Sequence, residues 1–384
     1  MVKELLKPGI YFLSGNVAAA EAALIAGCRF YAGYPITPAS PLMEHMARRL
    51  PQVGGVFIQA EDEIAAIVMA LGASAAGLKS MTATSGPGFS LMQEALGMGF
   101  MMELPLVVVD VQRAGPSTGL PTLGAQGDAM QAKWGTHGDY ETVIYAPSTP
   151  QELFDMVIEA FNTSEMLRTP VVVLTDQFTA HSYGKIRVPP HEEIRIVDRA
   201  VAEKREGYLP YATDDLVPPF ALPGEGYFFH LESLYHDERG YPTMNREKVG
   251  KLIDRLVSKV RLSADKIVKV EELGVDDADI LVVSYGSVAR VVKEVAYRAK
   301  SEGLRIGIFR PLVLWPFPYE KLRKAVERCS SPRVVVVEVN KGQVVHYVRE
   351  AVGADVRVDL YSETPGFYPG PKDLLNFLKK VVGG

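Results

Sequence analysis

A chain of 384 residues that is 47% hydrophobic, with 34 glycines and 26 prolines, reads as globular α/β, with length for two compact domains and sizeable cores. Its net charge of −5 argues against nucleic acid or an anionic membrane surface as a partner. No apolar run is long enough to cross a bilayer, and the N-terminus lacks a signal peptide's basic-then-apolar pattern, so a cytoplasmic protein is expected.

The two cysteines, Cys28 and Cys329, lie far apart and outside any C-x-x-C pattern. This chain by itself therefore cannot hold an iron–sulfur cluster or build a structural zinc site, and no metal ligands are assigned to it.

Residues 1–185 form a first unit. Apolar runs at Phe30–Ala32, Val56–Ile58, Ser80–Ala83, Leu106–Val111, Val143–Tyr145 and Val171–Thr175 alternate with helical patterns at 16–27, 39–50, 61–77, 88–102 and 150–166. That alternation predicts βαβ units and a mostly parallel sheet covered on both faces. Ligands of such sheets sit beyond the carboxyl ends of the strands, so the loops there are where chemistry is sought.

Those loops have a distinctive composition. After the first run comes Gly33-Tyr34-Pro35-Ile36-Thr37-Pro38, a hydroxyl between two prolines that stiffen the backbone. After the second, three acids, Glu61, Asp62 and Glu63, lead into a helix with apolar residues at Ile64, Ile67, Val68 and Leu71. One acid there is what a helix dipole asks for; three are more than it needs. A carboxylate led into an apolar helix would also have a raised pKa.

After the third run stands the glycine-rich turn Thr84-Ser85-Gly86-Pro87-Gly88, and after the fourth the loop Gln112-Arg113-Ala114-Gly115-Pro116-Ser117-Thr118-Gly119. Taken singly, Gly-Pro pairs are turn punctuation and an arginine is a surface charge. Together they put three rigid polar loops and one acid-led helix at the same end of one sheet. Further on, the polar, glycine-rich stretch Gln126–Asp139 carries Lys133, Trp134 and His137; His137 reads equally well as a functional group and as a satisfied buried one.

From 186 to 270 prolines interrupt every long element, aromatics recur from Tyr208 to Tyr241, and a helix is expected near 244–262; this is a connector that packs along other surfaces. Residues 271–384 alternate again, with strands at Ile280–Ser284, Arg305–Arg310, Arg333–Val339 and Val356–Leu360 and helices at Val288–Lys300, Pro318–Arg328, Gln343–Val352 and Lys372–Val382. A second, smaller α/β domain follows from that pattern.

Tyr34-Pro35-Ile36-Thr37-Pro38, the Glu63-led helix, Thr84 to Met92, the Gln112-Arg113 loop and Trp134-Gly135-Thr136-His137-Gly138-Asp139, in this order, resemble the α subunit of 2-oxoacid:ferredoxin oxidoreductases. Within that family the likeness is nearest to the 2-oxoglutarate enzymes, and it extends to Arg310-Pro311-Leu312 and Glu338–Gln343 near the C-terminus. The resemblance implies a pyrimidine-type thiamine-diphosphate-binding domain over 1–185 and a transketolase C-terminal-like domain over 271–384. It also implies CoA-dependent oxidative decarboxylation of a 2-oxo acid, with electrons passed to ferredoxin.

By the same resemblance, a glutamate would hydrogen-bond the cofactor's pyrimidine N1′ and favour the imino tautomer that activates the thiazolium carbon. Many thiamine enzymes place that glutamate nine residues before a helical glycine; Glu63 to Gly72 has this separation and Glu61 does not. Pro35, Ile36, Ser85, Gly86, Pro87 and Gly88 would line the pyrimidine pocket. Arg113 would pair with a substrate carboxylate, helped by Thr37, and His137 and Lys133 would be candidates for a distal carboxylate.

The chain has no Gly-Asp-Gly followed by an Asn at the spacing that anchors Mg²⁺ and diphosphate; Gly127-Asp128-Ala129 and Gly138-Asp139-Tyr140 match only in part. A β subunit is therefore expected to bring the diphosphate and metal half of the site. [4Fe-4S] clusters are expected in partner chains only, coenzyme A as co-substrate, and separate γ and δ subunits are compatible with the sequence. The same enzyme class acting on pyruvate or branched-chain 2-oxo acids is the alternative within the family, and two rivals from other classes remain: a non-catalytic structural subunit of such a complex, and a nucleotide-binding α/β protein. The second would need a Gly-x-Gly-x-x-Gly turn that the first unit does not offer.

Overall fold

The computed structural model describes residues 5–331 and 333–383. Its centre is a seven-stranded sheet whose spatial order runs Val313–Trp315, Val143–Tyr145, Pro170–Asp176, Leu106–Gln112, Ser80–Thr84, Phe30–Gly33 and Val56–Gln59. All neighbours are parallel except the first pair. The antiparallel edge strand Val313–Trp315 comes from the last third of the chain and was not legible as a strand in the sequence.

Side-chain alternation divides the sheet's faces. Val107, Val109 and Val111 point to the side covered by helices Gly15–Ile25, Ser40–Arg49 and Pro150–Leu167, whereas Leu106 and Val108 point to the side covered by Glu63–Ala75 and Gln93–Met101. The expected helix over 88–102 is two helices, Gly86–Leu91 and Gln93–Met101, meeting at Met92.

Strand Phe30–Gly33 connects outward to Val56–Gln59, and the chain then crosses back to Ser80–Thr84 on the other side of Phe30–Gly33. The loops leaving Phe30–Gly33 and Ser80–Thr84 accordingly run to helices on opposite faces and leave a crevice between them. This is the switch point at which doubly wound sheets bind ligands.

A five-stranded sheet, ordered Arg357–Ser362, Arg333–Glu338, Ile280–Val283, Ile306–Pro311 and Val270–Leu273, forms the core of the last part of the chain; only Val270–Leu273 is antiparallel. One face is buried under helices Val288–Lys300 and Pro371–Gly383, and the other shares a core with the first sheet's helices. Gly9–Ser14 and Tyr183–Val188 pair as a separate antiparallel ribbon.

Between His191–Glu193 and Arg246–Arg261 the chain carries no helix or strand, as the prolines there require. It is held by buried cations. Arg199 donates to both carboxylate oxygens of Glu165 and to the carbonyl of Ser74, and Arg168 donates to Pro218 O. Glu103, wholly buried, receives Arg255 and Lys259 from the helix that ends this stretch. These cations hold its carboxyl down at about 2 against the opposing cost of burial.

Candidate active site

The three acids before the second crossover separate into three roles. Glu61 is exposed, and Asp62 is the N-cap of helix Glu63–Ala75, its side chain accepting from Ala65 N at 2.7 Å. Glu63, in the first helical turn, faces inward and is only 5% exposed. Burial, with Asp62 beside it, pushes its carboxyl above the usual carboxylate range, while its own backbone N–H and Arg113 draw it partly back.

The glycine-rich turn presses on that carboxyl. A Cβ on Gly88 would stand under 3.0 Å from Glu63 Oε1 and from Thr84 Oγ1, so only a glycine lets the backbone approach this closely. Ser85 is fully buried, and its hydroxyl has no hydrogen-bond partner among the described residues. On the Asp128 side of the turn, a Cβ on Gly86 would meet the Asp128 carboxylate oxygens at 3.3 and 3.4 Å.

Arg113 follows strand Leu106–Gln112 and is 8% exposed. Its Nη1 donates to Thr37 O at 2.8 Å, which ties the proline-flanked loop to the arginine loop, and its buried Nε has no partner among the described residues. Glu63 and Asp128 both act on its charge. Pro35 and Thr37 are exposed and Ile36 is half-buried on the same loop, whose far end is held where Pro38 O accepts from Asn16 Nδ2 at 3.1 Å.

Thr37, Glu63, the Ser85–Gly88 turn and Arg113 are thus brought together at the switch-point crevice. Lys133 and His137 have other contacts. The Lys133 ammonium is buried against Glu141, which also receives Arg261, and lies over the Trp134 ring. His137 is exposed and lines a cavity of about 460 Å³ with Glu94, Met98, Asp139 and Tyr235.

Several site residues went unread in the sequence. Asn16 sits beneath the proline loop, and Asp110 is wholly buried on the site face of its strand. Gln126 is the hinge pin of the arginine loop: it exchanges backbone and side-chain hydrogen bonds with Val339, donates to Tyr285 O at 2.9 Å, and accepts from Asn340 Nδ2 at 2.8 Å. The last domain therefore grips the loop that carries Arg113. Asp110 left a trace in the sequence as the single acid inside Leu106–Gln112, and Gln126 stood at the head of the polar stretch Gln126–Asp139 without a role of its own.

The residues present fit the pyrimidine half of thiamine diphosphate. A buried carboxyl with raised affinity for a proton, an unpartnered hydroxyl and a glycine backbone at contact distance suit a flat, hydrogen-bonding ring. Among the described residues no group of three or more His, Cys, Asp or Glu side chains could hold a metal ion.

The fold and crevice are those of a thiamine-diphosphate-binding subunit. Residues 21–255 match the family model of the pyruvate flavodoxin/ferredoxin oxidoreductase thiamine-diphosphate-binding domain, and 278–374 match core domain II of pyruvate:ferredoxin oxidoreductase. The 2-oxoglutarate synthase subunit KorA of Methanocaldococcus jannaschii is 46% identical over 95% of this chain and 98% of its own length. The ketoisovalerate oxidoreductase subunit VorB of Methanothermobacter thermautotrophicus is 37% identical, with 97% of each chain covered. In solved structures, the 2-oxoglutarate:ferredoxin oxidoreductase of Magnetococcus marinus, with 2-oxoglutarate, coenzyme A and succinyl-CoA bound, superposes with a TM-score of 0.91 at 36% identity. That match covers 97% of this chain and 65% of the other. The chain belongs to the 2-oxoacid:ferredoxin oxidoreductase family, and the KorA and VorB relatives are each named as enzyme subunits.

Proposed function

We propose that the chain is the α subunit of a CoA-dependent 2-oxoglutarate:ferredoxin oxidoreductase, contributing the pyrimidine half of a thiamine-diphosphate site. The observation that carries this reading is the buried Glu63 carboxyl, pressed by Gly88 and flanked by Arg113, in a chain 46% identical to a 2-oxoglutarate synthase subunit. The overall reaction converts 2-oxoglutarate and coenzyme A to succinyl-CoA and CO₂ and passes two electrons to ferredoxin.

Bound thiamine diphosphate would supply the nucleophilic carbon and the electron sink. This chain's residues do the rest of their half. Glu63, its carboxyl raised by burial above the usual carboxylate range, would hydrogen-bond the ring nitrogen. Ser85 to Gly88, with Pro35 and Ile36, shape the pocket wall. Arg113, anchored by one nitrogen to Thr37 O, offers the remainder of its fork to a substrate carboxylate. Lys133 is neutralised by Glu141, and His137 lines a cavity that does not include Thr37, Glu63 or Arg113.

A β subunit would complete the site with the diphosphate- and Mg²⁺-binding half, and the [4Fe-4S] clusters would lie in partner chains. The test is anaerobic reduction of ferredoxin or a viologen dye by the assembled enzyme with thiamine diphosphate, Mg²⁺ and CoA. Preference for 2-oxoglutarate over pyruvate and 2-oxoisovalerate is expected. Preference for another acid would keep the mechanism and change the substrate.

A further inference from the structure

Asp110 and Asp128 meet beneath the glycine-rich turn. Asp110 points from the middle of its strand toward the site face, opposite Thr84 in register, and is wholly buried. Asp128 comes from the far end of the arginine loop, fixed where its backbone N–H donates to Gln112 Oε1 at 3.2 Å. The two carboxyls lie within hydrogen-bonding reach, yet both oxygens of Asp110 and Oδ2 of Asp128 find no donor among the described residues.

Two bare carboxylates cannot hydrogen-bond, and at this burial they would repel with little screening. A proton between them removes both difficulties. The other charged or titratable groups facing the pair are Arg113, with Glu63 beyond it, and the Tyr285 hydroxyl from the last domain.

We propose that Asp110 and Asp128 share one proton and act as a singly charged positioning unit for the site. Asp110 donates to Asp128. The Asp128 carboxylate then presents its charge to Arg113 and its oxygens to the Gly86 backbone, so the guanidinium and the turn are held in register from below. Burial and the neighbouring Asp128 raise the Asp110 carboxyl well above its usual range; burial also raises Asp128, to about 6, with Asp110's hydrogen bond and Arg113 drawing it partly back, so the two titrate as a pair.

The test uses the assembled enzyme. Infrared difference spectra of wild type against Asp110→Asn at neutral pH should show the carbonyl stretch of a protonated carboxylic acid in the wild type alone, shifting in D₂O. In kinetics, Asp110→Ala should raise KM for the 2-oxo acid by about tenfold, with a smaller fall in kcat. Asp110→Asn, whose amide can donate to Asp128 as the acid does, should restore most of that loss. Absence of the band, or an Asn variant as impaired as the Ala variant, would overturn the proposal. If Asp110→Ala does not fold, the spectra of wild type and Asp110→Asn decide alone. The kinetic arm rests on the substrate reading above and the infrared arm does not, so a band without 2-oxoglutarate turnover would sink that reading and leave this one standing.

Discussion

Gly88 and Glu63 touch so closely that a single added methyl group on the glycine would stand under 3.0 Å from the glutamate Oε1. Glu63 opens the helix that crosses back from the sheet's edge strand, and Gly88 closes the turn after the more central strand Ser80–Thr84. Their contact is what places a proton-accepting group at the crevice.

Gly88→Ala separates function from stability. Gly88 lies inside helix Gly86–Leu91, where alanine is intrinsically better by about 1 kcal/mol, but overpacking against Glu63 and Thr84 costs about 1–3 kcal/mol. A near-normal melting temperature with weakened thiamine diphosphate binding and lowered kcat is the expected result, measured by calorimetry and by cofactor titration of the assembled enzyme.

Arg113→Lys keeps the charge and discards the fork. The lysine's single Nζ would have to replace Arg113 Nη1 at Thr37 O, leaving nothing bidentate for the substrate. Loss of charge-assisted hydrogen bonds worth about 1.5–3 kcal/mol corresponds to a rise of about ten- to a hundredfold in KM for the 2-oxo acid. Steady-state kinetics check this, and a variant with unchanged KM would remove Arg113 from substrate binding.

Glu103→Gln strands Arg255 and Lys259 as buried cations without a carboxylate, an expected loss of about 3–5 kcal/mol read by denaturant unfolding. The acid limb supplies a second measurement. Glu103 is held at about 2 against an ordinary 4.5, so its stabilisation is fully present above pH 4.5 and is lost progressively as pH falls toward 2. The variant should lack that part of the acid-induced loss.

Much of this architecture was legible because burial on both sheet faces writes continuous apolar strands such as Leu106–Val111, and because prolines and glycines punctuate the site loops. Glu63 could be singled out from its two acidic neighbours by its spacing to Gly72, and the structure gives the physical counterpart: Asp62 caps, Glu61 faces solvent, Glu63 is buried. What could not be read depends on contacts distant in sequence. Val313–Trp315 is three residues that become a strand only by pairing with Val143–Tyr145. Gln126 is informative only once Val339 and Asn340 are seen around it, and Lys133 resembled an anion reader until Glu141 stood against it.

The most direct test is Glu63→Gln in the assembled enzyme, with subunit content, iron–sulfur clusters and bound cofactor verified. Replacing the ionisable carboxyl by an amide of the same shape should lower 2-oxoglutarate-dependent ferredoxin reduction by about 10²- to 10⁴-fold while assembly is retained. Undiminished turnover would contradict the assignment and make this chain a structural partner to a site located elsewhere.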